Sequence, residues 1–342
     1  MKHAMHTSSE RSLIHTDVDF DRAGFQYGHL RLPRSHDRSG YGYVPVPLAV
    51  LNGGPGPTLL LTGGNHGDEY EGPVALMRLL RRMPQMRLRG RVIVIPGLNF
   101  PALLNATRTS PIDGGNLNRA FPGRRNGTLT EMIAHYVDTE LLPLCDVAFD
   151  IHAGGASTNY LPTLLVSPPQ EPARRAEYRK WVDALGVPYA LVMDLLGEDR
   201  TFAAAAARRN LHFLCGEFGG HAMCSRDGLD IVQRAIDRLL AAMHMVEPLL
   251  ESVSAPTRLA RVDGRSHYVF APVGGIFEPA FRLGETVQAD QTAGWIHDPR
   301  RPNLPPCEVR FLGAGFVICT RTLAQVEPGD CLVHLAADTT WH

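Results

Sequence analysis

No stretch of this 342-residue chain approaches the run of about 18 consecutive apolar residues that a membrane-spanning helix requires. The opening Met1 to Glu10, with His3 and His6, is polar and lacks the apolar centre of a secretory signal. It reads as part of a disordered leader over residues 1–17. Basic runs interleaved with aromatics are missing too, and a formal net charge of −1 excludes the electrostatic footprint of a nucleic-acid binder. The six cysteines, Cys145, Cys215, Cys224, Cys307, Cys319 and Cys331, form no Cys-x-x-Cys pair and no closely spaced set. That scatter excludes a disulfide framework and fits reduced thiols in the cytoplasm. Several catalytic signatures are also absent: His-Glu-x-x-His, Gly-x-Ser-x-Gly, Gly-x-x-x-x-Gly-Lys and the dinucleotide-binding glycine fingerprint. A small solute is the partner these absences leave.

What is present centres on Thr58 to Gly72, an apolar run that stops abruptly in glycines and side chains of metal-ligand type. Leu59 to Leu61 read as a buried strand, Gly63-Gly64 permit a tight turn, and Pro73 to Arg82 carry apolar residues at helical spacing. His66 and Glu69 therefore fall between a strand end and a helix start, where open α/β sheets bind ligands. An imidazole and a carboxylate at i and i+3 can converge on one point, a pairing that suits Zn²⁺. A catalytic zinc takes three protein ligands and keeps one open position, so another histidine is needed. Asp150-Ile151-His152, after the apolar Val147-Ala148-Phe149, supplies it, giving one zinc per chain held by His66, Glu69 and His152. A polar surface turn is the bland reading of His-x-x-Glu alone; a second strand-end histidine followed by Gly154-Gly155 weighs against it. Asp150, two residues before His152 on the same strand face, is expected to orient a ligand imidazole.

Glu217, between Gly216 and Phe218-Gly219-Gly220, ends a further strand. Beside a metal-activated water such a carboxylate can serve as general base. The nearby His221 and Cys224 read as packing or pocket residues, with metal ligation the lesser alternative. Gly97 to Gly127 is a long segment rich in Asn, Arg, Pro and Gly, and a structureless connection of that length is usually functional. It holds Arg108, Asn116, Asn118 and Arg119, and arginine forks with neighbouring asparagines suit a carboxylate. A solvated loop is the alternative.

Along the chain, Phe20 to Val50 suggests short antiparallel strands punctuated by Gly and Pro. Arg91 to Pro96, Val147 to His152, Leu191 to Met193 and His212 to Cys215 read as strands. Helices are expected from Thr128, whose Glu131 completes a capping-box pattern, to about Leu142, and over Ala173–Leu185, Ala203–Arg209 and Gly228–Leu250. Strands alternating with helices indicate an α/β fold with a mostly parallel sheet over residues 18–252. Residues 251–257 read as a linker. The stretch 258–342 has no helical pattern and contains a near-repeat: Gly275 to Pro279, Leu283 to Val287 and Gly294 to Ile296 are echoed by Gly315 to Ile318, Val326 to Asp330 and Leu332 to Leu335. Two such units suggest a small β-sandwich or barrel, similar to the lipoyl/biotinyl type but without a lysine in its turn.

Taken together, Gly63 to Glu69, Arg108 to Gly123, Asp150-Ile151-His152 and Glu217 to Gly220 resemble the succinylglutamate desuccinylase/aspartoacylase family. The resemblance covers most of the chain. It implies a zinc carboxypeptidase-like fold, a mixed and mostly parallel sheet flanked by helices, with a smaller C-terminal all-β domain. It also implies a cytoplasmic zinc amidohydrolase acting on an N-acyl amino acid. His66, Glu69 and His152 would bind zinc, Glu217 would be the acid/base, Arg108 would polarise the acyl carbonyl, and Asn118 with Arg119, aided by Asn116, would hold the substrate carboxylate. The opening Val18 to Pro33 and Thr107 to Arg119 look most like the members of ectoine breakdown, which implies cleavage of Nα-acetyl-L-2,4-diaminobutyrate to acetate and L-2,4-diaminobutyrate. The segment from Pro162 to Asp199 and His221 to Cys224 depart from that pattern and bear on specificity. A homo-oligomer, a dimer in the simplest case, is expected. The competing readings are deacylation of another N-acyl amino acid, a zinc carboxypeptidase, and a non-enzymatic ligand-binding protein stabilised by metal. Structural zinc sites are usually closed by four Cys and His ligands, which disfavours the last.

Overall fold

The computed structural model describes residues 11–168, 171–193, 198–247 and 255–341. The N-terminal half builds β1 (Gly24–His36), β2 (Ser39–Asn52), β3 (Thr58–Gly63), α1 (Glu71–Arg82), β4 (Arg91–Ile95), α2 (Phe100–Asn105), α3 (Leu129–Tyr136) and β5 (Val147–His152). Then come β6 (Thr158–Tyr160), β7 (Thr163–Val166), α4 (Pro172–Leu185), β8 (Tyr189–Val192), α5 (Phe202–Arg208), β9 (His212–Glu217) and α6 (Arg226–Ala242). The sheet runs in the order β1-β2-β4-β3-β5-β9-β7-β8, with β4, β3, β5 and β9 mutually parallel, β1 and β2 antiparallel to their neighbours, and β7 antiparallel to β9 but parallel to β8.

Both faces of this sheet are covered, which explains why its central strands read as unbroken apolar runs. Leu59 and Leu61 pack with Leu76 and Leu79 of α1, Val182 of α4 and Val232 and Ile236 of α6. Leu60 faces the other way, onto Met132 and Ile133 of α3 and Phe202 and Ala205 of α5. The capping box at α3 is formed: Thr128 Oγ1 accepts from the Glu131 amide at 3.4 Å, and Glu131 Oε2 accepts from the Thr128 amide at 2.8 Å.

Three expectations need correction. The leader does not extend to residue 17: Ile14 and Val18 are buried in the core beside Leu30 and Leu32, and His15 bridges to Arg31. Instead of short strands, β1 and β2 form one long hairpin. Pro45 and Pro47 do not interrupt it, because β2 has a second neighbour only over Ala49–Asn52, and before that a missing N–H breaks no ladder. Helix α6 stops at Ala242, short of Leu250: His244 turns to a left-handed φ of 56°, and the Met245 amide folds back onto Leu240 O. Residues 248–254, which include most of the expected linker, lie outside the described residues.

The C-terminal region adds β10 (Arg258–Arg261), β11 (Tyr268–Phe270), β12 (Gly275–Pro279), β13 (Thr286–Val287), β14 (Thr292–His297), β15 (Cys307–Arg310), β16 (Gly315–Arg321), β17 (Gln325–Val326) and β18 (Cys331–Asp338). The sequence repeat is visible as β12-β13-β14 and β16-β17-β18, but the units interlock: β13 pairs with β16, and β17 pairs with β12. A second sheet, β15-β14-β12-β17, faces the strands of the first across a core that includes Phe277, Val287, Phe311 and Leu335. This region is joined to the catalytic sheet at two places. Strand β10 lies parallel to β8 and carries β18 on its other side, and β6 pairs with β16. Among the described residues no helix is long and apolar enough to cross a membrane.

His334 on β18 is buried, stacks on Tyr268 with ring centroids 4.4 Å apart, and leaves its Nε2 without a partner among the described residues. Burial, and then the charge of His267, push its pKa from 6.5 down to about 4. The unfolded chain therefore binds the extra proton first, so this residue's stabilisation is present above pH 6.5 and is lost as pH falls towards 4. The loss amounts to about 3 kcal/mol at its limit. Denaturant midpoints at pH 7 and pH 4.5 should fall less in His334→Phe than in the wild type; an equal fall in both would show that another group controls the acid limb.

Candidate active site

Three adjacent parallel strands deliver the predicted side chains to one level. In register, Thr62 of β3 stands beside Asp150 of β5 and Cys215 of β9, and two residues further His152 stands beside Glu217. The loop after β3 carries His66 and Glu69 back over these strand ends. Gly67 allows this, because a Cβ there would come within 2.0 Å of the Ala102 carbonyl carbon. Gly72 seats α1 against β5, where a Cβ would lie 2.5 Å from Ile151 O. The Gly67 amide donates to Thr107 O at 2.9 Å, tying the loop to the segment that holds Arg108.

His66, Glu69 and His152 are all buried, and their ligand atoms lie within 4.8 Å of one another. His66 Nδ1 is 2.7 Å from Glu69 Oε1, and His152 Nδ1 is 2.8 Å from Glu69 Oε2. The far nitrogen of each ring is already occupied: His152 Nε2 meets Asp150 Oδ2 at 2.7 Å, and His66 Nε2 meets Asn116 Oδ1 at 3.2 Å. Two acceptors behind the rings place the ring protons on Nε2 and leave both Nδ1 lone pairs aimed at one carboxylate. Lone pairs and an anion so arranged repel unless a cation lies among them, so this donor set fits a metal ion. Without metal a proton does the same work. Burial disfavours charge on His152, but the Asp150 and Glu69 carboxylates raise its pKa well above the ordinary value; burial likewise opposes ionisation of Glu69, and the His66 and His152 charges lower its pKa nonetheless.

Asp150 is itself held on both oxygens. Thr62 Oγ1 donates to Oδ1 at 2.6 Å and Asn65 Nδ2 donates to Oδ2 at 2.8 Å. Asp150→Asn should weaken metal binding by about 10- to 100-fold, the usual cost of losing an acceptor behind a ligating imidazole. Competition against a chromogenic chelator measures this, and unchanged affinity would remove the orienting role.

Glu217 Oε2 has no hydrogen-bond partner among the described residues. Burial first, and then the Glu69 charge, push Glu217 well above the ordinary carboxylate range. Arg108 reaches in from the mouth, half-exposed, with Nη1 3.7 Å from Glu69 Oε1 and 3.4 Å from His66 Nδ1. These groups open into a cavity of about 590 Å³ whose wall includes Asn118 and Arg119. Asn118 Oδ1 accepts from the Phe202 amide at 2.9 Å and so fixes the start of α5. Asn116, expected beside the substrate, stands instead behind His66. His221 and Cys224 are exposed and outside the metal-ligand group.

Sequence reasoning missed much of the wall: Ser157, Thr158 and Tyr160 on and beside β6, Tyr178 on α4, Met193, and Glu198. None belongs to a motif. For Tyr178, Met193 and Glu198 the signal was the long Pro162 to Asp199 segment, whose departure from the family pattern bears on specificity; Ser157, Thr158 and Tyr160 lie outside it.

This geometry agrees with the comparisons. Residues 55–243 match the succinylglutamate desuccinylase/aspartoacylase catalytic domain, and the chain belongs to that family, a class of amide-bond hydrolases. Among its relatives is the N-alpha-acetyl-L-2,4-diaminobutyric acid deacetylase of Halomonas elongata, 37% identical over 325 residues and covering 95% of each chain. The product-bound ectoine utilization protein EutE from Ruegeria pomeroyi superposes with a TM-score of 0.92 at 33% identity, over 96% of this chain and 99% of that one. A succinylglutamate desuccinylase/aspartoacylase from Rhodobacter sphaeroides does so with a TM-score of 0.90 at 37% identity, over 96% and 100%.

Proposed function

We propose that this chain hydrolyses Nα-acetyl-L-2,4-diaminobutyrate to acetate and L-2,4-diaminobutyrate, with zinc held by His66, Glu69 and His152. The observation that carries the chemistry is the convergence of two Nδ1 atoms on Glu69 beside Glu217, whose Oε2 has no partner among the described residues. The substrate rests on the 37% identity to the Halomonas elongata deacetylase along nearly the whole of both chains. Bound there, zinc would supply Lewis acidity and bring a water's pKa near neutrality.

The remaining work falls to the chain. Glu217 takes the proton of the attacking water as the new C–O bond forms at the acyl carbon. The Arg108 guanidinium, at the mouth beside Glu69, compensates the negative charge that gathers on the former carbonyl oxygen. As the C–N bond breaks, Glu217 passes its proton to the α-nitrogen, which leaves as the amine. Burial favours the neutral form of Glu217, the state from which that proton is delivered. Asn118, through the amide nitrogen that its contact with Phe202 leaves spare, and Arg119 hold the α-carboxylate. The test is to incubate zinc-loaded protein with the α and γ isomers of N-acetyl-diaminobutyrate, N-acetylaspartate, N-succinylglutamate and a short peptide panel. Release of amine fastest from the α isomer is expected; a faster peptide would make the chain a peptidase.

A further inference from the structure

Apart from Glu69 and Glu217, the cavity wall carries one carboxylate among the described residues, Glu198. It stands beside the proposed carboxylate clamp: its Oε2 is 3.3 Å from Arg119 Nε. Arg200 holds it from the other side, donating from Nε to Oε1 at 2.9 Å and from Nη2 to Oε2 at 2.8 Å, while its backbone amide donates to Oε1 at 3.0 Å. These bonds keep the carboxyl ionised, with a pKa lowered to about 2. Arg119 is fixed in turn by donation from Nη1 to Asn118 O at 2.8 Å. A positive and a negative group thus lie side by side in the wall; the 3.3 Å contact from Arg119 is the longest on the carboxylate, and it is the one an incoming donor would replace once Arg119 turns to a substrate carboxylate.

We propose that Glu198 is the specificity residue for the substrate side chain: with Arg119 on the α-carboxylate, Glu198 receives a side-chain ammonium. The substrate class is N-acyl amino acids with a short cationic side chain. The assignment rests on the function proposed above, which places the α-carboxylate at Arg119. In 2,4-diaminobutyrate a short aliphatic spacer separates carboxylate from ammonium, so the molecule can lie antiparallel to the Arg119–Glu198 pair, each charge facing its opposite. An acidic side chain in the same pose would set carboxylate against carboxylate, a repulsion that rejects such substrates.

Glu198→Gln keeps the shape and removes the charge. The measured quantity is the ratio of kcat/KM for Nα-acetyl-L-2,4-diaminobutyrate to that for its neutral counterpart N-acetyl-L-2-aminobutyrate. It should fall about tenfold in the variant, through KM, the scale of one charge-assisted contact. Competitive inhibition by the free amino acids gives a readout independent of turnover: L-2,4-diaminobutyrate should lose its advantage over L-2-aminobutyrate in Glu198→Gln. An unchanged ratio in the variant, or a wild-type enzyme active on the cationic substrate with no preference over the neutral one, overturns the Glu198 assignment and leaves the deacetylase reading standing. A wild-type enzyme that releases no amine from the cationic substrate overturns both.

Discussion

Glu217→Gln should lower kcat by between about 100- and 10,000-fold, the range for a lost general acid/base, while the protein keeps its metal. Glutamine preserves the volume and one oxygen but can neither accept the water's proton nor return it to the departing nitrogen. Glu217 is absent from the group of convergent ligand atoms, so the ion should be retained. Metal content by atomic absorption, set beside steady-state kinetics, separates the two effects. Normal turnover would reassign the proton transfer; loss of metal would move Glu217 into the ligand set.

Glu69→Ala should show the opposite pattern, with metal lost and activity lost together. Glu69 is the one member that faces both imidazoles, through Oε1 and Oε2. Its removal leaves the two rings without the anion that draws a cation between them. In the wild type, zinc at a thousand times its dissociation constant should stabilise the fold by about 4 kcal/mol, and this should all but vanish in Glu69→Ala. Thermal melts with and without zinc measure it. A full zinc-induced shift in the variant would mean that the ion sits elsewhere.

The proposed metal-binding group was legible in the sequence because each of its parts has a local signature. Leu59 to Leu61 announce a strand buried on both faces, glycines mark the turn, and the ligands follow within a few residues. Asp150 could be paired with His152 because residues two apart on a strand share a face. The cavity wall was not legible, because Tyr160, Tyr178 and Glu198 meet only through tertiary packing and carry no periodicity of their own. The same holds for the C-terminal strands. Their repeat is plain in the residues, but that β13 and β17 change places, and that β10 extends the catalytic sheet, depends on which edges are free once the rest has folded. Asn116 shows a related limit: the motif singled it out, while its Oδ1 serves His66.

The pairing of β6 with β16 ties the catalytic mouth to the far end of the chain. Cys319 to Arg321 brace the short strand on which Thr158 and Tyr160 are mounted, and Thr322 reaches back to Ser157 and Ala156. Amputating the chain after residue 257 would strip β16 from β6 and β10 from β8 at once. A shortened protein could still retain every group that acts on the acyl bond, yet the wall opposite them would have lost its buttress.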